Sequence, residues 1–265
     1  MITYRELVTA FRALGLDRST PVIAHASLPA FGPVNGGVDT LLGAMLSSFD
    51  VLVMPVFTQR TTLIPEVGPP ENGILYASGR VSNAAAEFFR PDMPADRAAG
   101  ALAESLRRLP QARRSSHPIL SFTGINADTI LASQSLAGPL EPVHMLVEGG
   151  GWVLLLGTDH IANTSLHFAE QLAGRKQFIR WALTPYGVVK CPNMPGCSQG
   201  FNAIAPRVRR VTRLVQTGET IVQAVPLTDL ISIARSWIEA DPLALLCEQP
   251  DCVTCQAARS QVVRV

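Results

Sequence analysis

Apolar positions in this chain follow two spacings, one typical of strands and one typical of helices, and the two alternate. Runs rich in valine, isoleucine and leucine, typical of buried strands, occupy residues 21–25, 51–57 and 152–157. Apolar residues at helical spacing occupy residues 38–48, 95–109 and 227–240. A first helix is predicted after Thr3, because Thr3 and Glu6 have the spacing of a capping box. Strands alternating with helices predict an α/β protein.

The C-terminal half adds an antiparallel element to this pattern. Residues 212–225 alternate around Thr217-Gly218 and predict a hairpin, so the central sheet should be mixed and flanked by helices. Residues 59–82 carry proline and glycine with little periodicity, and they predict a long loop of functional or mobile character. We find no internal repeat, and the pattern predicts one domain over residues 1–265 with a distinct C-terminal part from residue 190.

Composition narrows the class of protein and its surroundings. The chain has 265 residues, of which 47% are hydrophobic and 16% charged, enough for a large buried core. The net charge is +1 and no long basic run occurs, which argues against nucleic acid as a partner. No apolar run approaches the roughly 20 residues of a membrane span, and the first residues do not have the pattern of a secretory signal. We therefore expect a soluble cytoplasmic protein.

The strongest catalytic candidate is the pair His167 and Glu170, in a predicted helix start over residues 163–170. Asn163 is a plausible N-cap of that helix. Three residues apart, the two side chains project from one helix face. The segment follows a predicted strand, and ligands of α/β proteins bind where strands end and helices begin. Imidazole can move a proton near neutral pH, and a carboxylate can fix its tautomer and stabilise its charged form.

A second candidate is the pair Gly36 and Gly37, which precedes a predicted helix. Such a turn exposes backbone N–H groups at the positive end of the helix dipole, and this suits a pyrophosphate. Two other histidines, His25 and His117, lie outside these candidate pairs. His25 lies within a predicted strand and is expected to be a satisfied core residue, whereas for His117, followed by Pro118, a structural and a functional role are both open.

The cysteines form a third group. All five lie after residue 190, and the last three have the spacing Cys247-x4-Cys252-x2-Cys255. A Cys-x2-Cys pair with two further thiolates suits tetrahedral zinc, and stable disulfides are the less favoured alternative in the cytoplasm. We predict a structural zinc site with Cys197 as the fourth ligand, although Cys191 can also be presented by the same turn. The tail, residues 241–265, has few periodic apolar positions and is predicted to fray unless it is tied down.

An ordered set of motifs resembles one known family. The motifs are His-Ala-Ser-Leu at 25–28, Val-Asn-Gly-Gly-Val at 34–38, Val-Met-Pro-Val-Phe-Thr at 53–58, Arg-Arg-Ser-Ser-His-Pro at 113–118 and Asn-Thr-Ser-Leu-His-Phe-Ala-Glu at 163–170. Their order and spacing resemble the aminoglycoside 3-N-acetyltransferase family, also called antibiotic N-acetyltransferases. Some members resemble this chain in a Cys-x2-Cys near the C-terminus, and many lack it, which indicates a divergent branch.

The resemblance implies a fold, a reaction and a set of site residues. It implies an α/β fold distinct from the common acetyltransferase fold built around a phosphate-binding loop. It implies acetyl transfer from acetyl-coenzyme A to an amine of an aminoglycoside-like acceptor, a reaction associated with antibiotic resistance, with His167 as general base and Glu170 as its partner. The coenzyme side of the family site matches the residues Ser27, Leu28, Gly36, Gly37 and Val38, and Arg114 and Ser115 are candidates for its remaining phosphate.

Alternatives are open both for the acceptor and for the class of protein. The long loop offers few carboxylates for a polycation, namely Glu66 and Glu71, so a different small-molecule amine is an alternative acceptor. Asp92 and Asp96 are candidate acceptor-binding acids, and Asp96 is equally a helix N-terminal residue. A zinc hydrolase using His167 and Glu170, and a non-catalytic acyl-coenzyme A binding protein, are the other classes considered. A homodimer is left open.

Overall fold

A computed structural model describes residues 1–262 of the chain. The described strands are β1 (Val22–Ala26), β2 (Leu52–Pro55), β3 (Thr62–Leu63), β4 (Arg113–Arg114), β5 (Phe122–Ile125), β6 (Trp152–Leu156), β7 (Phe178–Thr184), β8 (Gly187–Met194), β9 (Arg213–Thr217) and β10 (Thr220–Pro226). The described α-helices are α1 (Tyr4–Ala13), α2 (Gly37–Ser48), α3 (Arg80–Ala84), α4 (Gly100–Arg107), α5 (Asp128–Ala132), α6 (Glu141–Glu148), α7 (Leu166–Leu172), α8 (Ala205–Val208), α9 (Leu227–Ala240) and α10 (Val253–Val262).

Seven strands form one mixed sheet in the order β4-β5-β2-β1-β6-β10-β9. Its centre is parallel, because β1 pairs in parallel with β2 on one side and with β6 on the other. Both edges are antiparallel: β5 pairs with β2 and β4 at one edge, and β10 pairs with β6 and β9 at the other. The predicted mixed α/β sheet is confirmed, including the antiparallel hairpin that turns after Thr217.

Helices cover both faces of this sheet because its central strands are apolar on both sides. On one face, Ala24, Met54 and Leu154 pack with residues of α1, α2 and α4. On the other face, Ile23 and Val153 pack with residues of α5, α6, α7 and α9. The capping box predicted for the first helix is present, since the Thr3 hydroxyl accepts from the Glu6 amide and the Glu6 carboxylate accepts from the Thr3 amide.

The long loop prediction for residues 59–82 is only partly right. The segment contains β3, which adds to β7 and β8 to make a second, three-stranded antiparallel sheet. Asn72 anchors the rest of it, because its carboxamide donates to the Ile179 carbonyl at 2.9 Å and accepts from the Ile179 amide at 2.8 Å. A two-residue strand is too short to produce a regular apolar pattern, so it could not be recognised from the sequence.

Two helix predictions need correction. The helix predicted over residues 95–109 is α4 alone, preceded by a short 3-10 turn, Arg97–Ala99, because Gly100 has a φ of +82° and breaks the helix there. The tail predicted to fray unless it is tied down contains a helix that was not predicted, α10, whose Cys255, Ala257 and Ala258 are buried. Within residues 1–262, no helix combines the length and apolar character that a bilayer crossing requires.

Candidate active site and cysteine cluster

The carboxyl ends of β1 and β6 form the crevice in which the candidate site lies. The chain leaves β1 toward α2 on one face of the sheet and leaves β6 toward α7 on the other face. Neighbouring parallel strands whose connections depart to opposite faces leave a gap between the two connections, and α/β proteins bind ligands in that gap. The sequence of elements therefore places a ligand site next to the start of α7.

Two cavities occupy this crevice. The first, which we call the strand-end cavity, has a volume of about 620 Å³ and is lined by the end of β1, including Ser27 and Leu28. The second, which we call the hairpin-side cavity, has a volume of about 440 Å³ and is lined by His167, Arg180 and residues near the end of β8. Phe57, Gln59, Ala98, Ala162 and Thr164 line both cavities. The two cavities are therefore adjoining parts of one cleft.

His167 and Glu170 form a buried hydrogen-bonded pair on α7. His167 Nδ1 lies 2.7 Å from Glu170 Oε2, and the two residues are 7% and 3% exposed. A carboxylate beside Nδ1 accepts a hydrogen bond from Nδ1–H and so holds the proton on that nitrogen, which leaves the lone pair on Nε2. Among the described residues, His167 Nε2 has no hydrogen-bond partner. The imidazole is thus oriented as a base in a side chain that lines the hairpin-side cavity.

Arg175 fixes the carboxylate of this pair. Its Nη1 donates to Glu170 Oε1 at 2.6 Å, and its Nη2 donates to the carbonyls of Pro242 and Ala244 at 2.9 and 2.6 Å. A buried carboxylate needs such a partner to remain charged. The arginine was missed in the sequence because it lies beyond the end of α7, where no helical spacing links it to Glu170.

Replacing Glu170 with glutamine should lower turnover less than loss of His167 and should change the pH–rate profile. The neutral amide no longer stabilises the charged imidazole, although it keeps the size of the side chain. The measurement is turnover against pH on protein whose fold has been checked by circular dichroism. An unchanged profile would make Glu170 a structural partner only.

The structure divides the predicted cofactor residues into two groups. Ser27 and Leu28 line the strand-end cavity. The Ser27 amide is already used by the Leu156 carbonyl at 2.9 Å, so only the Leu28 amide of this pair is left to donate to a ligand. Gly36, Gly37 and Val38 do not line either cavity. They form the start of α2, which joins β1 to β2, so they lie at the same carboxyl edge of the sheet.

Arg114 and Ser115 have hydrogen-bond partners within the protein, and the phosphate role predicted for them stays a prediction. Arg114 donates to the Ser121 hydroxyl and to the carbonyls of Val56, Pro91 and Met93, so its guanidinium is occupied by the protein itself. Burial lowers its pKa to about 10. Ser115 is buried, and its hydroxyl accepts from the Phe122 amide at 2.8 Å. Both residues hold β4 to β5 and neighbouring loops.

His117 and His25 differ in how their ring nitrogens are partnered. His117 Nδ1 accepts from the amides of Ile119 and Leu120 at 3.2 and 3.0 Å, which is a structural contact, but its buried Nε2 has no hydrogen-bond partner within residues 1–262, so both of its roles stay open. The prediction that His25 is satisfied is wrong, because its buried Nε2 has no hydrogen-bond partner within the described chain. Burial, with a further contribution from nearby His160, lowers the pKa of His25 to about 3. His25 is therefore neutral at physiological pH.

Neither candidate acceptor-binding acid lies in the hairpin-side cavity. Asp92 is exposed beside Arg90, with 3.6 Å between Nε and Oδ1. Asp96 reaches the strand-end cavity, but its Oδ2 accepts from the Gln59 amide at 2.5 Å. It also precedes the 3-10 turn Arg97–Ala99, which agrees with the alternative of a helix N-terminal residue.

Asn163 does not cap α7 in the predicted way. The helix begins at Leu166 after Ser165, and Asn163 instead ends the 3-10 turn His160–Ala162. Its buried side chain accepts from the Ser165 amide at 3.2 Å and lies 3.2 Å from His160 Nδ1. Asn163 therefore shapes the turn that leads into α7. It lies two residues before Ser165, which occupies the N-cap position.

Four cysteines meet next to residues that line the hairpin-side cavity. The sulfur atoms of Cys197, Cys247, Cys252 and Cys255 all lie within 4.8 Å of one another. Cys191 lies instead on β8, buried in a separate apolar cluster with Phe178 and Met194. The four cysteines predicted from spacing are therefore the four that come together. All five are free thiols.

The four thiols are electrostatically unequal. Burial raises the pKa of Cys197 to about 11. Burial also opposes ionisation of Cys252, but hydrogen bonds from Thr254, the Cys255 amide and the neighbouring thiols outweigh it and lower the Cys252 pKa to about 6. A metal ion would ionise all four, since coordinating thiols are deprotonated by the cation they bind.

The comparisons with known proteins agree on one family. The family model described as aminoglycoside 3-N-acetyltransferase matches residues 23–239. Aminoglycoside N(3)-acetyltransferase III of Salmonella sp is 34% identical over 182 residues, which is 65% of this chain and 62% of that protein. Aminoglycoside N(3)-acetyltransferase VII of Streptomyces paromomycinus is 34% identical over 184 residues, covering 65% and 61%. The matched part is thus less than two thirds of the length of these relatives.

The fold is also shared with a solved member of this group. The structure of the aminoglycoside acetyltransferase AAC(3)-IVa superimposes with a TM-score of 0.78 at 25% identity, over 98% of this chain and 97% of that one. A complex of a variant of that enzyme with a gentamicin gives a TM-score of 0.77 with the same coverage. Together with the family-model match over most of the chain, these similarities show that the chain belongs to the aminoglycoside 3-N-acetyltransferase family.

Proposed function

We propose that this chain is an acyltransferase that moves the acetyl group of acetyl-coenzyme A to an amine of an aminoglycoside or aminoglycoside-like acceptor. The observation that carries the proposal is the buried His167–Glu170–Arg175 series beside a two-part cleft. Family membership supports the same reaction. The relatives' names state it for them, and the gentamicin complex provides an example of an acceptor bound by a family member.

The chemistry needs a base and an oxyanion donor. An ammonium group cannot attack a thioester until it has lost a proton, and His167 Nε2 is placed to take that proton. As the amine nitrogen bonds to the thioester carbon, the carbonyl oxygen becomes negative, and the Leu28 amide at the end of β1 is our candidate donor. The carbon–sulfur bond then breaks. Of the two protons that the nitrogen loses on becoming an amide, one passes through His167 to the coenzyme thiolate and the other is released to solvent.

The test of the reaction is release of the coenzyme thiol. Acetyl-coenzyme A is incubated with the protein and a panel of aminoglycosides and simple amines, and the free thiol is followed by a colorimetric reagent. Release that depends on an amine, with an acetylated amine found by mass spectrometry, is the expected result. Saturable coenzyme A binding without thiol release for any amine would identify a non-catalytic binding protein instead.

We place the phosphates of the coenzyme at Gly36 and Gly37. Both glycines have positive φ, +78° and +60°, and no side chain caps the twelve-residue helix α2 that follows them. The Gly37 amide donates to the Val34 carbonyl at 3.0 Å, so the N–H groups left for an anion are those of the rest of the first turn of α2. A Cβ built on Gly37 has no heavy atom within 4 Å, so the backbone there is open to an approaching group.

Replacing Gly37 with valine should weaken acetyl-coenzyme A binding, because the side chain obstructs that open backbone. A residue with positive φ is strained by any side chain, so a matched control is needed. Gly150→Val provides it: Gly150 has a φ of +66°, has open space around it, and lies at the other end of β6 from the cleft. Calorimetry showing equal affinities for the two variants would refute the placement.

We also propose a structural zinc ion held by Cys197, Cys247, Cys252 and Cys255. The residues present fit this group, because four sulfur atoms within 4.8 Å of one another suit tetrahedral thiolate coordination. Four protein ligands leave no open position for a reacting water, so the site is not expected to take part in catalysis. The positive charge of the ion would balance the negative charge of the four thiolates that bind it.

A further inference from the structure

Because His167 lines the hairpin-side cavity, the proposed mechanism brings the amine there, and the charge of this cavity is unusual for such a site. Its lining contains one permanently charged side chain, Arg180, and no aspartate or glutamate. The carboxylates nearby have other partners: Glu170 Oε1 lies 2.6 Å from Arg175 Nη1, and Asp96 accepts from the Gln59 amide. The wall that faces His167 therefore offers a cation to the acceptor and no fixed anion.

Arg180 is held rigidly but is not neutralised. Its Nη1 donates to the carbonyls of Asn72 and Ile179 at 2.9 and 2.8 Å, and its guanidinium lies 5.2 Å from the centre of the Phe178 ring. Within residues 1–262, Nε and Nη2 have no hydrogen-bond partner and no carboxylate forms an ion pair with the group. Burial lowers its pKa to about 10, so it remains charged near neutral pH.

An immobilised guanidinium acts on a bound acceptor in two ways. It repels additional ammonium groups, and this repulsion is strong in a half-buried site where water screens poorly. It also presents two free donor nitrogens in a planar fork, the geometry that matches carboxylate and phosphate oxygens. Both effects favour an acceptor with a single amine and an anionic group over a molecule with many ammonium groups.

We infer that Arg180 is a specificity residue, and that the preferred acceptor is an aminoglycoside-like amine that also carries an oxyanion, such as a carboxylate or a phosphate. In this arrangement the oxyanion pairs with Arg180 while the amine faces His167, and both groups line one cavity. This inference rests on the proposed acetyl transfer and narrows its acceptor. The amine itself still loses its proton to His167, so the reaction is unchanged.

The test compares two acceptors that differ by one anionic group. Glucosamine and glucosamine 6-phosphate carry the same amine, and kanamycin serves as the polycation. We expect the wild-type kcat/KM to be higher for the phosphorylated amine by about tenfold or more, the scale of one charge-assisted hydrogen bond. Arg180→Gln should bring the ratio of the two kcat/KM values, phosphorylated over unphosphorylated amine, down toward one. Lys190→Gln is the control, because it removes an exposed positive charge from the neighbouring strand β8 outside the cavity.

Binding separates failure of this inference from failure of the proposed function. If neither amino sugar is acetylated but another amine releases the thiol, calorimetry of the two sugars with the coenzyme A-saturated protein decides, and tighter binding of the phosphate supports the role of Arg180. Equal or weaker binding of the phosphate, or preferred acetylation of kanamycin that Arg180→Gln leaves unchanged, overturns it. If Arg180→Gln lowers the affinity for both sugars equally, the residue is structural. Absence of thiol release with every amine counts against the proposed acetyl transfer, and the calorimetric comparison still decides the preference.

Discussion

Replacing His167 with alanine should lower the turnover number for acetyl transfer by roughly a hundredfold or more, the usual scale for loss of a general base. The imidazole is placed for this role by the 2.7 Å contact with Glu170 and by its position in the wall of the hairpin-side cavity. Affinity for acetyl-coenzyme A should change little, since His167 is not among the residues that line the strand-end cavity. Steady-state kinetics and calorimetry measure the two quantities separately.

The alanine variant is expected to fold. Glu170 keeps its ion pair with Arg175, and the imidazole gives up its packing on Phe201, where the ring centres are 4.7 Å apart. His144→Ala is a suitable control, because this half-exposed histidine lies on α6 beside Glu141 and Glu148, away from the cleft. Near-normal turnover of a folded His167→Ala protein would remove His167 from the mechanism.

Removing the metal from the cysteine cluster should lower the melting temperature of the protein more than it lowers the chemical step. Purified protein is expected to carry about one zinc per chain. Cys197 lies on the segment after β8, whereas Cys247, Cys252 and Cys255 lie in the tail that contains α10, so a bound ion would tie two distant segments together. Metal affinity then appears as folding stability. Chelation or Cys252→Ser should show this in a thermal unfolding experiment.

Cys191→Ser distinguishes the cluster from cysteine loss in general. Cys191 is fully buried in a different apolar cluster, so its replacement should leave the zinc content at one per chain even if it costs some stability. Metal analysis that finds no zinc in protein purified without chelator, together with titration of five free thiols, would end the proposal. Zinc retained in Cys197→Ser and lost in Cys191→Ser would change only the fourth ligand.

Features of the fold that leave a regular pattern of apolar or cysteine positions were predictable from the sequence. The parallel strands at residues 21–25 and 152–157 are continuous apolar runs because helices cover both faces, and such runs can be recognised without a structure. The hairpin around Thr217 and the four clustered cysteines followed from alternation and spacing. In the candidate site, His167 and Glu170 were found because their spacing on a helix brings them together locally.

Features that depend on distant contacts were not predictable. Arg114 resembles a phosphate ligand in sequence, but its partners include the carbonyls of Val56 and Pro91, which only the folded chain brings within reach. Helix α10 carries few apolar residues and is buried through Cys255 and two alanines, so its periodicity is weak. Arg175 is positioned by the Ala244 carbonyl of the tail and Arg180 by the Asn72 carbonyl, and both partners are remote in sequence.

The two cavities of the cleft are built from different stretches of the chain. Apart from shared residues, the strand-end cavity draws mainly on residues 24–29, 54–55 and 96–101, whereas the hairpin-side cavity draws mainly on His167, Arg180, residues 194–196, Ser198 and Thr254. Gly196 and Ser198 adjoin Cys197, and Thr254 adjoins Cys255, so part of the second wall is carried by the cysteine cluster. Under the proposed acetyl transfer, with the amine beside His167 in the second cavity, substitutions in the last third of the chain would change the acceptor while leaving the strand-end cavity intact. Natural variation or laboratory evolution would then have a separate region in which to adapt the same reaction to a new amine.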